Sequence, residues 1–221
     1  MGLFAVSGPP ESSYVELSVT RCLRAVTLVV VLSSFSGCGS TPAPSPADLN
    51  AVYELALEET AAPNAHIYLK GSREEEIALA RLETYFTKMT VATVSEQTAD
   101  VYAPEAWLYD NLAAIQGVDE IRQYFANAAS DVDKLSVDFL QIARSNEDYF
   151  VRWRMLIRSA RLSGGEPLIS YGVTQFRFDS QGRVLLHRDF WDAGTGLYEY
   201  LPLLGGLVTR IRSGLADNSG N

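Results

Sequence analysis

The hydrophobic periodicity of the chain changes near residue 135, and this change limits the folds that the chain can adopt. Before it, apolar residues recur every three or four positions, as on one face of a helix; after it, they alternate with polar residues, as in a strand. The clearest alternation places Val151, Trp153 and Met155 on one face and Arg152 and Arg154 on the other. Helices followed by a run of strands predict an α+β domain with an antiparallel sheet.

Turn signals divide the second half of the chain into segments. Polar or glycine-rich stretches at 146–148, 163–165 and 179–182 predict three turns. Strands are predicted at 107–110, 135–144, 149–162, 169–178 and 183–192. Helices are predicted at 72–90, 94–102 and 118–130, and a short helix at 48–61. Ser72, with Glu75 three positions later, has the spacing of a capping box and predicts where the first long helix begins.

The N-terminal segment has the pattern of a secretory signal. Arg21 and Arg24 precede an apolar run that includes residues 25–32, and small residues follow it. The run is about 8–11 residues long, whereas a helix needs about 20 to cross a bilayer. It therefore predicts export, with a buried apolar strand as the alternative.

The end of this segment, Phe35-Ser-Gly-Cys38, resembles a bacterial lipobox, except that leucine is usual where Phe35 stands. The resemblance implies that Cys38 is lipidated and becomes the mature N-terminus. It implies a location in the cell envelope, on the outer membrane and facing the periplasm. A simple cleaved signal is the other reading.

These patterns divide the chain into four parts. A lipoprotein-type signal region at 1–37 precedes a lipid anchor and tether at 38–71, rich in Pro, Ser and Ala at its start. The globular domain is predicted at 72–193 and a C-terminal tail at 194–221. The tail is apolar over 197–215, with Arg210 and Arg212 near its end. We expect it to pack on the domain as a short amphipathic helix; contact with a membrane surface is the alternative.

Charge and composition exclude several classes of function. The net charge of −9 disfavours binding to nucleic acid. The two cysteines, Cys22 and Cys38, both precede the globular part and cannot form a disulfide framework or a cysteine-ligated zinc site within it. His66 and His187 are the only histidines, so no histidine-rich metal site is expected and no cofactor is indicated.

Three stretches of the globular part resemble the nuclear transport factor 2-like superfamily, which contains the SnoaL-like and ketosteroid-isomerase-like domains. They are Ala103-Pro-Glu-Ala-Trp-Leu-Tyr-Asp110, Gly117-Val-Asp-Glu-Ile-Arg-Gln-Tyr-Phe125, and the hairpin Phe176-Arg-Phe-Asp-Ser-Gln-Gly-Arg-Val184 leading to Phe190-Trp191. The resemblance implies a cone-shaped roll, in which about three N-terminal helices pack on a curved, mostly antiparallel sheet around a pocket. The superfamily includes isomerases, polyketide cyclases, dehydratases, epoxide hydrolases and non-catalytic binding domains, so the fold does not define the function.

The resemblance also implies which residues line the pocket. They are Phe86, Tyr109, Trp153, Met155, Thr174, Phe176 and Trp191. Asp110 falls where the ketosteroid isomerases keep their general base; a solvated turn aspartate is the alternative. Phe86 and Thr174 stand where those isomerases need a tyrosine and a protonated acid. Because Phe86 has no proton to give and Thr174 donates weakly, steroid isomerisation by that mechanism is disfavoured.

His187, Asp189 and Trp191 alternate along the last predicted strand, and period 2 puts all three on one face. The resemblance places Trp191 inside the pocket, so the other two are expected there as acid/base groups with Asp110. A purely structural His187–Asp189 pair is the alternative. If the face is reversed, Arg188 and Asp192 enter the pocket instead.

Three functions remain open, and catalysis is undecided among them. The first is a membrane-anchored domain that binds a small, mainly apolar molecule. The second is an acid/base enzyme of the cyclase, dehydratase or isomerase kind, which requires the candidate groups to converge on one cavity. The third is a periplasmic interaction module with a filled interior. The arginine face, Arg152, Arg154 and Arg158, is expected to be solvated or to support a homodimer.

Overall fold

The computed structural model describes residues 46–160, 162, 165–201 and 204–217. The predicted signal region and Cys38 lie outside these ranges. Within them, no helix is long and apolar enough to cross a membrane.

Four helices precede or interrupt the sheet. They are α1 Pro46–Glu59, α2 Arg73–Thr87, α3 Val91–Val101 and α4 Val118–Ser130. Ser72 caps α2 as predicted, since its hydroxyl accepts a hydrogen bond from the Glu75 amide at 3.2 Å. The reciprocal half of the capping box differs. The Glu75 carboxylate accepts from the Gly71 amide and from the Tyr149 hydroxyl, which fastens the start of α2 to the sheet.

Six strands form one sheet in the order β2-β1-β6-β5-β4-β3. Their bounds are β1 Tyr102–Tyr109, β2 Ala114–Gln116, β3 Lys134–Ser145, β4 Asp148–Arg158, β5 Leu168–Phe178 and β6 Val184–Trp191. All neighbouring pairs are antiparallel except β1 and β6, which are parallel. The predicted class, α+β with helices on a curved, mostly antiparallel sheet, is confirmed.

The first strand is longer than predicted. We expected Pro104 to end a helix that reaches Tyr102, but β1 already begins at Tyr102. Pro104 lies where the register between β1 and β6 shifts, between Tyr102 and Trp107. Proline has no amide hydrogen for the ladder, so such an irregularity accommodates it. The short strand β2 was not predicted, and β4 ends at Arg158 rather than at residue 162.

The two faces of the sheet have different partners. On the inner face, α2, α3 and α4 bury the main core, which includes Leu82, Val94, Ile121, Val151 and Phe176. On the outer face, α1 packs Ala56 against Trp107 and Leu186. The segment assigned to the tether therefore contains a helix that docks on the sheet. The Trp107 indole also donates to Glu59 at 3.0 Å, which fixes the end of α1.

The C-terminal tail forms α5 Ala193–Gly196, a 3-10 turn at Tyr198–Tyr200 and α6 Leu204–Asp217. Gly196, near the start of the predicted tail, is buried. In α6, Leu207 and Ile211 are each more than half exposed, while Arg212 pairs with Glu199 of the 3-10 turn at 2.7 Å. That the tail packs on the domain stays a prediction.

Candidate functional site

A cavity of about 550 Å³ opens between the inner face of the sheet and the helices α2 and α4. Its walls are mainly apolar. They include Met89, Phe125, Leu135, Val137, Phe139 and Ile157, together with Leu197 from the turn after α5. The interior is therefore open, whereas the hypothesis of a periplasmic interaction module predicts a filled interior.

Most of the predicted lining residues lie in this cavity. They are Phe86, Trp153, Met155, Thr174, Phe176 and Trp191. Tyr109 does not, and its placement in the pocket was wrong. Its ring lies on the outer face, where the Arg188 guanidinium sits 3.8 Å from the ring centroid. Neighbouring strand residues face opposite ways, so Tyr109 could not enter the pocket together with Leu108, which packs in the inner core.

The three acid/base candidates, Asp110, His187 and Asp189, all contact the same cavity. The face assignment of β6 follows the prediction: His187, Asp189 and Trp191 face inward. Arg188 lies outside against Tyr109, and Asp192 caps α5 by accepting from the Gly194 amide.

A hydrogen-bonded chain orients Asp189. Nε2 of His187 lies 3.0 Å from Oδ1 of Asp189, and the Thr174 hydroxyl donates to the same oxygen. The Trp153 indole N–H in turn donates to Thr174 Oγ1 at 2.8 Å. None of the described residues donates to Oδ2. The Asp189 side chain is 19% exposed, against 3% for His187, so the carboxylate rather than the imidazole is the accessible end of the chain.

Tyr102 forms the buried end of this chain. Its hydroxyl lies 2.7 Å from Nδ1 of His187. Complete burial raises the pKa of Tyr102 well above its usual value, so the phenol keeps its proton and can donate it. An ionised Asp189 then requires the imidazole hydrogen on Nε2, and the Nδ1 lone pair accepts from Tyr102. Both ring nitrogens of His187 are therefore occupied.

Asp110 both closes a turn and contacts the cavity, the two roles between which the sequence did not decide. Its Oδ1 accepts from the amides of Leu112 and Ala113 at 2.7 and 2.8 Å, which closes the turn after β1. Its Oδ2 accepts from the Tyr124 hydroxyl at 2.5 Å. Burial raises the pKa of Asp110, and the charge of nearby Asp189 raises it further.

The parallel pairing of β1 with β6 brings the two carboxylates together. Leu108 is opposite His187, and Tyr109 is opposite Arg188. Continued by one residue, this register places Asp110 beside Asp189 on a neighbouring chain segment, where strands lie about 4.8 Å apart.

Two tyrosines at the site were not predicted as functional. Tyr102 was placed at the end of a helix, and Tyr124 was considered only as part of the helix after Gly117. In α4, Tyr124 lies three residues after Ile121 and beside Phe125, both of which are buried. This spacing could have placed it on the inner stripe. No group of three or more metal-ligating side chains occurs among the described residues.

Comparison with known proteins agrees with this architecture. Residues 82–187 match the family model described as SnoaL-like domain, a span that includes Asp110, Thr174 and His187. No curated protein matches the chain significantly.

Solved structures share the fold at low sequence identity. A proposed polyketide cyclase from Acidithiobacillus ferrooxidans is 13% identical, with 60% of this chain and 97% of that chain covered and a TM-score of 0.50. An epoxide hydrolase of the LEH-like kind from M. tuberculosis is 14% identical, with 66% and 96% covered and a TM-score of 0.48. A proposed SnoaL-like polyketide cyclase from Jannaschia is 16% identical, with 57% and 92% covered and a TM-score of 0.46.

Proposed function

We propose that the cavity of this chain, whose residues 82–187 match the model of a SnoaL-like domain, binds a small, mainly apolar molecule and moves a proton on it. Asp189 is the acid/base group that touches the ligand. The main support for this proposal is the environment of the Asp189 carboxylate. Its Oδ1 is hydrogen-bonded to His187 and Thr174, while none of the described residues donates a hydrogen bond to Oδ2. A fixed base with one free oxygen suits proton removal from a bound molecule.

His187 is a positioning residue, because it orients Asp189 and does not itself contact the ligand proton. The imidazole is nearly fully buried, and both of its nitrogens already have partners. It therefore has no free lone pair for a ligand proton. Its Nε2–H fixes the rotamer of Asp189.

Asp110 and Tyr124 supply the complementary acid. When Asp110 holds a proton, its O–H can donate to the Tyr124 oxygen, and the Tyr124 hydroxyl is then released to donate into the cavity. Both side chains contact the cavity, and the raised pKa of Asp110 favours this protonated state. A base and an acid on one cavity wall match the chemistry of cyclisation, dehydration and isomerisation, in which a proton is removed at one atom and returned at another.

Binding without catalysis needs only the apolar walls, and it leaves the buried polar chain from Tyr102 to Trp153 without a role in function. The steroid-isomerase mechanism is disfavoured, as expected. Phe86 packs edge-on against Tyr85 and has no proton to donate, and the Thr174 hydroxyl is already bonded to Asp189.

Native mass spectrometry tests the binding part of the proposal. We expect the full chain carrying Cys38→Ser, purified without detergent, to retain a small molecule. Ala128→Trp should lose it, because residue 128 lines the cavity and the indole would fill the opening. Ser130→Trp is the control, since this exposed residue ends α4 outside the lining. Retention of the same mass by Ala128→Trp would count against this cavity as the binding site.

We further propose that Cys38 anchors the chain to the outer membrane on the periplasmic side. The lipobox-like Phe35-Ser-Gly-Cys38 and the Pro-rich stretch after it support this. Fractionation of cells that express Cys38→Ser should move the protein from the membrane to the soluble fraction. Continued membrane retention would contradict lipidation.

A homodimer remains a proposal for the part of the outer face that α1 leaves uncovered. Ile169 and Tyr171 are exposed there, near Arg152 and Arg154. Light scattering on the Cys38→Ser chain should give twice the monomer mass, and Tyr171→Glu should reduce it to the monomer. A monomeric parent protein would exclude this interface.

A further inference from the structure

The lining of the cavity is acidic. Three of its lining residues carry a carboxyl group, Asp110, Asp131 and Asp189, whereas none of the described lining residues is a lysine or an arginine. Negative charge on low-dielectric walls concentrates the field inside such a cavity. A carboxylate or phosphate ligand would enter with no cationic partner.

The nearby arginines do not neutralise this field, because they are engaged elsewhere. Arg188 stacks on Tyr109 on the outer face. Arg122, on α4, pairs with Asp119 at 2.7 Å. Burial raises the pKa of Asp110, and the charge of Asp189 raises it further, as expected for negative charge without a cation beside it.

Aromatic rings flank the accessible carboxylate. Trp153, Gly172 and Trp191 form one row across β4, β5 and β6, and the neighbouring row ends with Thr174 opposite Asp189. A Cβ atom on Gly172 would lie 2.6 Å from Cη2 of Trp153 and 2.8 Å from Cβ of Trp191. The Trp153 indole therefore lies over Gly172, next to Cβ of Trp191 and to the row that contains Asp189.

We propose that the ligand of this cavity is a hydrophobic amine, whose ammonium group lies against the rings of Trp153 and Trp191 in the field of Asp189, with Oδ2 of Asp189 left to the carbon that loses its proton. A cation gains from the carboxylate and from the faces of the indoles, and both gains increase in a site shielded from water. The apolar walls from Val137 to Ile157 receive the hydrocarbon part. This inference rests on the proposed function and names its substrate class.

Three probes of equal length separate the charge states. At pH 7, 4-phenylbutylamine is a cation, 4-phenylbutan-1-ol is neutral, and 4-phenylbutyrate is an anion. Calorimetric titration of the full Cys38→Ser chain should show the amine binding at least about tenfold more tightly than the alcohol, with the carboxylate weakest. Asp189→Asn should lose about tenfold in amine affinity and bind the alcohol as before, which also shows that the variant is folded.

Asp138→Asn is the matched control. It removes the same charge from the outer face, where Asp138 pairs with Arg154 at 3.3 Å, and it should leave the amine affinity unchanged. If the alcohol or the carboxylate binds as tightly as the amine, or if Asp138→Asn costs as much as Asp189→Asn, the amine assignment is wrong while the proposed function stands. If none of the three probes binds, both are overturned.

Discussion

Nε2 of His187 lies 3.0 Å from Oδ1 of Asp189, while Nδ1 of the same ring lies 2.7 Å from the Tyr102 hydroxyl. The imidazole thus joins a buried phenol to a carboxylate that borders the cavity. The ring is held at both ends, which fixes the direction in which Asp189 points. Removing either partner should lower the stability and change the hydrogen bonding of the ring.

Tyr102→Phe should release one end of this chain. Nδ1 of His187 would be left buried without a donor, at a cost of about 1–3 kcal/mol in the free energy of unfolding. The ¹⁵N chemical shifts of His187 should show an unprotonated Nδ1 in both proteins, because Asp189 still accepts from Nε2–H, and the Nδ1 shift in the variant should move toward that of a nitrogen without a hydrogen bond. Tyr85→Phe is the control, because that buried hydroxyl bonds to Thr98. It should leave the His187 shifts unchanged; an equal change in both variants would contradict the assigned chain.

Asp110→Asn should alter how stability depends on pH. Burial raises the folded-state pKa of Asp110 above its ordinary value of 3.8. The stability that the protonated form contributes is therefore complete below about pH 3.8 and is lost as the pH rises through the folded value. The free energy of unfolding of the wild type, minus that of the variant, should fall between pH 4 and pH 7 in urea titrations. A difference that grows with pH would mean a lowered pKa and would remove Asp110 as the proposed acid.

Gly172→Ala should damage the cavity wall. The added methyl group would lie 2.8 Å from Cβ of Trp191 and closer still to the Trp153 indole, so both tryptophans must shift. Overpacking of this kind costs about 1–3 kcal/mol, measurable by chemical denaturation. Gly206→Ala, in α6, meets nothing within 4 Å and should be neutral or stabilising by up to about 1 kcal/mol. Equal stability of Gly172→Ala and the wild type would show that the tryptophans are not held together as described.

The sequence predicted the elements well where the periodicity was strong. The alternation around Trp153 identified β4 and its two faces, and the spacing of His187, Asp189 and Trp191 put all three on one face of β6. These predictions depend only on local geometry, because a strand turns every second side chain to the same side.

The parts that failed depend on contacts between distant segments. Tyr109 was expected inside from the family resemblance, but Asp110 follows the end of β1 and enters the cavity through its own turn, while Tyr109 faces outward. The Tyr102–His187 contact spans 85 positions and requires the parallel pairing of β1 with β6, which no local pattern encodes. The docking of α1 on the outer face likewise follows from Trp107 and Leu186, two residues far from it in sequence.

Deuterium incorporation shows whether Asp189 moves a proton on a bound molecule. The molecule retained by the full Cys38→Ser chain is incubated with the protein in D₂O, and its mass is followed over time. We predict that the wild type and Asp138→Asn both raise the mass of the molecule by whole deuterium units at carbon. Asp189→Asn should still bind the molecule but exchange its hydrogen at least a hundredfold more slowly, because removing a general base lowers the rate by a factor on the order of 10²–10⁴. Exchange at the wild-type rate in Asp189→Asn, or no exchange in the wild type, would contradict the claim.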